Sequence, residues 1–295
     1  THLIDQLPPS ADVVVYQMSI GSPLADQWAN HGGRKVMNYH NITPLELVGR
    51  WDGLLHAEVI LGREQMKLYA EACEHAICDS DFNKSELDEL GYRSTETVPV
   101  LFDVADATPD KAMAAKIRRA SDGMQILFVG RVAPNKAHHD LVGIVRTFRD
   151  MYGNDAHLHV VGTDGPPAYR KVVDGIVNHA EMGPHITFHG SVSQAALVAA
   201  YQAADVFLCA SDHEGFCVPV IEAMHHGLPV VAYDCTAVGG TVGDGGLLLP
   251  DKQPARMAAA LQRVATDADL RDRMVTAGRR RAAHFEAHRT ADAFA

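Results

Sequence analysis

Long apolar runs and an excess of basic residues are both missing from this sequence. No stretch reaches the roughly 20 consecutive apolar residues of a membrane-spanning helix, and the opening residues THLIDQLPPS lack the basic and apolar regions of a signal peptide. These absences predict a cytoplasmic protein. Lys and Arg together number 26 against 37 Asp and Glu, a formal net charge of -11, which excludes a broad nucleic-acid surface. Any basic pocket must be local, and its anion must be small.

Two further features limit what the protein can bind. Five cysteines are scattered through the chain, in neither a zinc-type double pair nor a disulfide framework, so we expect reduced thiols. The adjacent histidine pairs at 138–139 and 225–226 point in different directions on a helix, and we predict no metal. The three arginines at 279–281 leave contact with the inner face of a membrane open, although a solvated helix end explains them equally.

Short apolar runs alternate with helical stretches along the 295 residues, 47% of which are hydrophobic. The predicted strands are DVVVYQM, KVMNYH, HAICDS, TVPVLF, MQILFVG, HLHVVG, HITFHG, DVFLCA and LPVVAYD. Helices are predicted over 54–74, 80–90, 137–152, 168–180 and 215–226. Such alternation is typical of parallel sheets buried on both faces. It predicts an α/β protein with two Rossmann-like halves, divided within the polar stretch 103–122 into domains at 1–118 and 119–295.

Two glutamates flank a turn and a helix start in the segment SDHEGFCVPVIEAMHHGLPV. The run DVFLCA ends a strand, Pro219 fits the first turn of the next helix, and Gly227 ends that helix. Glu214 is therefore predicted at the carboxyl end of a strand, and Glu222 about two turns into the helix. Amides between them suit an anion, and the carboxylates suit sugar diols on either side. Taken singly, each glutamate would more often be a surface acid.

A second strand-end loop carries two cations. After MQILFVG comes RVAPNK, which places Arg131 and Lys136 at a strand's carboxyl end, just before a helix. Two cations beside a helix N-terminus fit a diphosphate, and each charge-assisted hydrogen bond contributes about 1.5–3 kcal/mol. The alternative is a pair of ordinary surface charges.

These segments resemble the retaining glycosyltransferases of family four, which have the GT-B fold. LFVGRVAPNKAHHDLV resembles the phosphate loop of that family, and SDHEGFCVPVIEAMHHGLPVVAYD resembles its paired-glutamate signature. NYHNITPLEL, LGREQM and CDSDFNKSELDELGY resemble a bacterial subgroup of hexosyl- and mannosyltransferases. The resemblance covers nearly the whole chain and implies a partial acceptor-side domain, a nucleotide-sugar-binding domain and a cleft between them.

The resemblance also implies a role for each matched residue on the donor side. Arg131 and Lys136, preceded in their loop by Gly130, would bind the donor diphosphate. Glu222 would accept hydrogen bonds from the ribose, and Val192 would lie near the base.

The remaining roles concern the transferred sugar. Glu214 would hold the hexose, and the amides of Gly215, Phe216 and Cys217 would bind phosphate and sugar. His40 of YHN matches a histidine that faces the sugar from the N-terminal domain. Without the resemblance, a satisfied histidine at a strand end is the simpler interpretation of that residue.

The implied reaction moves a hexose from GDP-mannose or a UDP-hexose to an acceptor hydroxyl with retention at the anomeric carbon. The departing diphosphate leaves on the face from which the acceptor arrives and takes its proton. His40, Glu214, Arg131 and Lys136 form the expected catalytic set, with no metal and no cofactor. The expected partners are the donor and a glycan, lipid-linked or small-molecule acceptor.

Departures from the family pattern keep other functions open. The chain starts at a strand expected midway through the first domain, without the first strand and its glycine-rich loop. Gln17 stands where the subgroup tends to place histidine, and Gly239 and Gly240 stand where a proline and an acid are common. A donor-binding accessory module without turnover and a sugar-nucleotide epimerase remain alternatives. The donor base, the sugar and the acceptor are not identified.

Overall fold

The structure, a computed structural model, describes residues 10–102 and 107–294. Its N-terminal part is a parallel sheet with the order β1-β2-β3-β4. The elements are β1 (Val13–Met18), α1 (Leu24–Ala29), β2 (Arg34–Tyr39), α2 (Leu45–Val48), α3 (Gly53–Leu68), β3 (His75–Cys78), α4 (Asp81–Glu89) and β4 (Thr95–Thr97). Their apolar faces form one core, which includes Trp28, Met37, Tyr39 and Met66.

The C-terminal part is built on a larger parallel sheet with the order β10-β9-β8-β5-β6-β7. Its elements are α5 (Lys111–Arg118), β5 (Gln125–Val129), α6 (His138–Tyr152), β6 (His157–Val161), α7 (Pro167–His179), β7 (Ile186–Gly190), α8 (Gln194–Ala203), β8 (Val206–Cys209), α9 (Val218–His225), β9 (Val230–Tyr233), α10 (Val238–Val242), β10 (Leu247–Leu249), α11 (Pro254–Thr266), α12 (Ala268–Ala282) and α13 (Ala287–Phe294). Helices cover both faces of this sheet and bury an apolar core on each side.

The strand order reverses at β5, which pairs with β6 on one side and β8 on the other. The helices that follow β5 and β8 therefore lie on opposite faces of the sheet, which leaves a crevice outside the strand ends. The predicted α/β class and the two parallel sheets are confirmed.

Several predicted elements differ from the structure. TVPVLF is not a strand beyond Thr97, because the strand ends two residues before Pro99, which has no amide to pair. The first long helix ends at Leu68, not at residue 74. The short strand Leu247–Leu249 was not predicted.

The chain passes from one sheet to the other soon after Val98. The amide of Val98 donates to the Cys78 carbonyl of the first sheet, whereas Phe102 packs in the core of the second. Residues 103–106 of the predicted boundary stretch lie outside the described residues. Helix α5 packs against α8 in the C-terminal core, and the division at 118/119 stays a prediction.

No helix in the described ranges has the length and apolar character needed to span a bilayer.

Candidate active site in the cleft between the sheets

Two loops meet at the point where the strand order reverses. The loop after β5 ends in a 3-10 turn over Pro134–Lys136, and the loop after β8 runs beside it. The Asn135 carbonyl accepts from the Asp212 amide at 2.8 Å, and the Asn135 side-chain amide donates to the His213 carbonyl at 3.2 Å. These bonds fix the register of the two loops, so Lys136 reaches Glu214.

Lys136 and Glu214 form an ion pair at the floor of the cleft. Nζ of Lys136 lies 2.5 Å from Oε2 of Glu214, with side-chain exposures of 24% and 6%. Burial lowers the pKa of Lys136, but the charge of Glu214, its hydrogen bond and the nearby cysteines together outweigh that effect and leave the pKa raised. The backbone of Glu214 is held on both sides by Thr236, which accepts from its amide at 2.9 Å and donates to its carbonyl at 2.8 Å. Lysine is therefore charged beside a fixed carboxylate.

Arg131 presents an unpaired guanidinium next to this pair. Its side chain is exposed and makes no hydrogen bond or ion pair with the described residues. It lines a cavity of about 210 Å³ together with Lys136, and another of about 280 Å³ together with Gly130 and Val192. Four of the predicted donor residues thus line two neighbouring cavities that share Arg131: Gly130, Arg131, Lys136 and Val192.

The loop between Glu214 and α9 differs from its prediction. Helix α9 begins at Val218, not at residue 215, because Cys217 adopts a left-handed φ of 76° and ends the helical geometry there. The amides of Gly215, Phe216 and Cys217 consequently precede the helix. None of the three donates a hydrogen bond to the described residues, and Gly215 and Phe216 line the cleft. Unsatisfied amides beside a lysine and a helix start form a place for an anion.

Glu222 lies one turn into α9. Its carboxylate accepts from the Tyr201 hydroxyl at 2.7 Å. Burial raises the pKa of Glu222, and the Tyr201 hydrogen bond partly offsets that rise. In the described residues it makes no hydrogen bond with Lys136 or Glu214.

His40 reaches the same cleft from the N-terminal sheet. It follows β2 and lines a cavity of about 280 Å³ with Lys136, Glu214 and Gly215. Its Nδ1 lies 2.8 Å from Oδ2 of Asp79, and its Nε2 contacts the Gln17 side-chain oxygen. The hydrogen bond to Asp79 raises the pKa of His40 against the opposing effect of burial.

Sequence reasoning missed the residues that join the two halves. Nε2 of His213 lies 2.6 Å from Oδ1 of Asn41, and the Ser80 hydroxyl donates to the Gly215 carbonyl at 2.8 Å. Each stands next to a predicted residue or motif, in YHN, SDHEG or CDSDF, and this adjacency was the available signal. A Cβ added to Gly215 would lie 2.8 Å from the His40 carbonyl oxygen, so glycine allows this close approach.

A larger cavity, about 620 Å³, adjoins the cavity lined by His40 and Lys136; the two share Asp79 and Phe216. Its wall includes Pro99, Arg281 and Phe285. The guanidinium of Arg281 donates hydrogen bonds to the carbonyls of residues 240 and 241. The cavity lined by His40, Lys136 and Glu214 is the better candidate for the reaction centre, because the charged side chains and unsatisfied amides converge there.

Comparison with known proteins agrees with this geometry. A family model described as "Glycosyl transferases group 1" matches residues 110–281. A D-inositol 3-phosphate glycosyltransferase from Kineococcus radiotolerans is 30% identical over 258 residues, which cover 79% of this chain and 58% of that protein. A phosphatidyl-myo-inositol mannosyltransferase from Mycobacterium leprae is 34% identical over 161 residues, or 53% of this chain and 41% of that protein. The matched residues span about half the length of these relatives.

Solved structures share the fold. Sucrose-phosphate synthase from Thermosynechococcus elongatus superposes with a TM-score of 0.77 at 21% identity, covering 96% of this chain and 72% of that one. HepE from Anabaena, in complex with UDP, superposes with a TM-score of 0.71 at 17% identity, covering 89% and 71%. The two sheets and their cleft are thus those of a GT-B fold.

Proposed function

Because the chain belongs to the group 1 glycosyl transferases, we propose that it transfers a hexose from a nucleotide-diphosphate sugar to an acceptor hydroxyl with retention of anomeric configuration. One observation carries the proposal. A single cavity is lined by His40 from one sheet and by Lys136, Glu214 and Gly215 from the other. A donor seated there contacts both halves of the protein.

The donor diphosphate is assigned to the boundary between this cavity and the neighbouring one, which Arg131 and Lys136 line together. Arg131 has no partner within the described residues, and the amides of residues 215–217 are unsatisfied, so all four groups are free to bind phosphate oxygens. Lys136 already has a partner in Glu214 at 2.5 Å, and an ammonium group has three donors. It can therefore keep that bond and add one to the diphosphate.

The mechanism uses the charge that grows on the leaving group. As the bond from the anomeric carbon to the diphosphate breaks, Arg131, Lys136 and the loop amides stabilise the negative charge on the departing oxygens. The acceptor hydroxyl attacks from the same face and passes its proton to the diphosphate. Glu214, fixed by Thr236 and Lys136, positions the hexose hydroxyls, and no covalent sugar–enzyme intermediate and no metal enter this scheme.

His40 supplies the opposite wall. Oδ2 of Asp79 lies 2.8 Å from Nδ1 of His40 and fixes the plane of the imidazole ring. The backbone carbonyl of His40 lies against Gly215. That carbonyl dipole favours the positive charge that develops on the sugar ring.

The nucleotide is assigned to the neighbouring cavity that Gly130, Arg131 and Val192 line. Glu222 would accept from the ribose hydroxyls, and Val192, beside Gly130 and Arg131, would contact the base. GDP-mannose and UDP-hexoses are the proposed donors. The relatives named for inositol 3-phosphate and phosphatidyl-myo-inositol make phosphorylated inositols the first acceptors to test.

The test compares the double variant Arg131→Ala/Lys136→Ala with a matched pair from the helical surface of the same domain, Arg146→Ala/Lys171→Ala. Release of nucleoside diphosphate is measured with each donor and acceptor, alongside the shift in melting temperature that each donor causes. We expect the first variant to lose transfer and the second to retain it. Near-normal turnover in the first variant would refute the phosphate assignment.

The same assay separates the alternatives. A donor that raises the melting temperature without turnover identifies an accessory module. Interconversion of two donors without acceptor identifies an epimerase.

A further inference from the structure

Three side chains able to ligate a metal converge behind the cleft. The ligand atoms of Cys209, Cys217 and Glu214 all lie within 4.8 Å of one another, and all three residues are buried. Cys209 ends β8, Cys217 is the N-cap of α9, and Glu214 lies in the loop between them. The two cysteines have no metal-type spacing in the sequence, and the reversal of the chain between β8 and α9 brings them together.

Two thiolates and a carboxylate are the donor set of a thiophilic divalent cation such as zinc. In the chain as described, Lys136 balances the charge of Glu214. A divalent cation that displaces both thiol protons to solvent brings two positive charges against two new negative ones. The net charge of the cluster is then unchanged, so the cation adds no net charge to the interior.

A second group of candidate ligands in the described residues is less available to a metal cation. His139, Asp140 and Asp212 also lie within 4.8 Å of one another. The Lys252 ammonium, however, contacts both Asp140 and Asp212. Lys252 thus occupies two of the three ligands of that group, whereas Lys136 occupies only Glu214 and leaves both cysteines of the first group without a cation.

We propose that Cys209, Cys217 and Glu214 form a binding site for one thiophilic divalent cation, and that its binding withdraws Glu214 from the cleft. The cation enters through the cleft, because Glu214 and Lys136 line it. Binding is independent of the proposed transfer reaction. The consequence, inhibition of transfer by the metal, rests on that proposed function.

Cadmium is the probe for binding, because its thiolate complexes absorb in the near ultraviolet. The reduced, metal-free protein is titrated with cadmium in weak buffer, and absorbance and released protons are both recorded. We expect saturation at one cadmium per chain, with thiolate absorbance. Saturation without thiolate absorbance, or no binding, would overturn the proposal.

Variants assign the ligands. Cys209→Ser and Cys217→Ser should each abolish the thiolate absorbance of the tight site, and Glu214→Gln should weaken binding by at least about tenfold. Cys73→Ser, a buried thiol in the N-terminal core, is the matched control and should bind as the unaltered chain does. Loss of the signal in Cys73→Ser, or its survival in both other serine variants, would place the site elsewhere.

X-ray absorption of the zinc-loaded unaltered protein covers the case in which a serine variant does not fold. Two sulfur ligands at about 2.3 Å with oxygen ligands at about 2.0 Å are expected, and any other sulfur count contradicts the site. Transfer is then assayed with and without zinc. If zinc inhibits transfer and Cys209→Ser relieves the inhibition, the metal acts on transfer through this site. If zinc binds without inhibiting transfer, the site stands but its proposed effect on transfer is wrong. Absence of transfer in metal-free protein counts against the proposed function alone.

Discussion

The Nε2 atom of His213 lies 2.6 Å from the side-chain oxygen of Asn41, and this hydrogen bond joins the two sheets across the cleft. The Asn41 amide nitrogen donates to Asn83 and Glu86, so its oxygen is the acceptor and His213 is the donor. Burial lowers the pKa of His213, which keeps the ring neutral. Asn41 itself adopts a left-handed φ of 75°, a geometry that asparagine tolerates.

Replacing His213 with alanine should lower the free energy of unfolding by about 2 kcal/mol, because it leaves a buried acceptor on Asn41 without a donor. Urea unfolding measures the loss. A double-mutant cycle with Asn41→Gly, which suits the left-handed φ, isolates the pair, and a coupling above about 0.5 kcal/mol is expected. Additive effects would show that the contact contributes nothing. Asn30→Ala, on the exposed end of α1, is the control.

Gly215→Ala should prevent the two sheets from approaching fully. The added Cβ would lie 2.7 Å from Asn41 Cβ and 2.8 Å from the His40 carbonyl oxygen, and neither atom is at the end of a flexible side chain. We expect a larger radius of gyration in small-angle scattering and a loss of donor-induced stabilisation. Gly175→Ala, where a Cβ within α7 meets nothing within 4 Å, should be neutral or stabilising by up to about 1 kcal/mol. Equal behaviour of the two variants would contradict the steric account.

Asp79→Asn should lower the pKa of His40, because the carboxylate is the main cause of its rise. The folded pKa exceeds the unfolded value of about 6.5, so the pair's contribution to stability is fully present below that pH and is lost as the pH rises through the folded pKa. The variant should lose this pH dependence. NMR titration of the His40 ring, with unfolding measured at a series of pH values, checks both. An unchanged His40 titration would exclude the assigned cause.

Glu222→Gln should stabilise the protein at neutral pH while weakening donor binding. Burial raises the pKa of Glu222, so its contribution to stability is present below pH about 4.5 and falls as the carboxylate ionises at higher pH. Glutamine removes that charge and keeps an acceptor for Tyr201. A lost charge-assisted bond to ribose corresponds to about 10- to 100-fold in affinity. Thermal melting and calorimetry measure the two effects, and Glu71→Gln on the exposed surface should change neither.

The sequence predicts the strands well where burial on both faces demands an unbroken apolar run, as in MQILFVG and DVFLCA. It fails where one residue or a distant partner decides the backbone. Pro99 keeps TVPVLF out of the first sheet, and the positive φ of Cys217 moves the start of α9 by three residues. Leu247–Leu249 pairs with β9, but three residues are too few to show a period.

The site residues also fall into those that the sequence could place and those that it could not. Lys136 and Glu214 could be placed from their strand-end loops, because parallel strands bring their carboxyl ends to one edge. The partnership of Asn41 with His213 spans 172 positions, and nothing local in either residue indicates it. Gln17 and Asp79 beside His40 are likewise set by tertiary packing.

Residue 215 contacts both halves at once, since its carbonyl accepts from Ser80 while the residue lines the cavity. Parting the domains would remove that hydrogen bond and free the peptide to rotate. Under the proposed transfer reaction we therefore expect the sugar nucleotide to bind first and the acceptor second. Plots of velocity against the two substrates should then intersect, and product inhibition by the nucleoside diphosphate should be competitive with the donor.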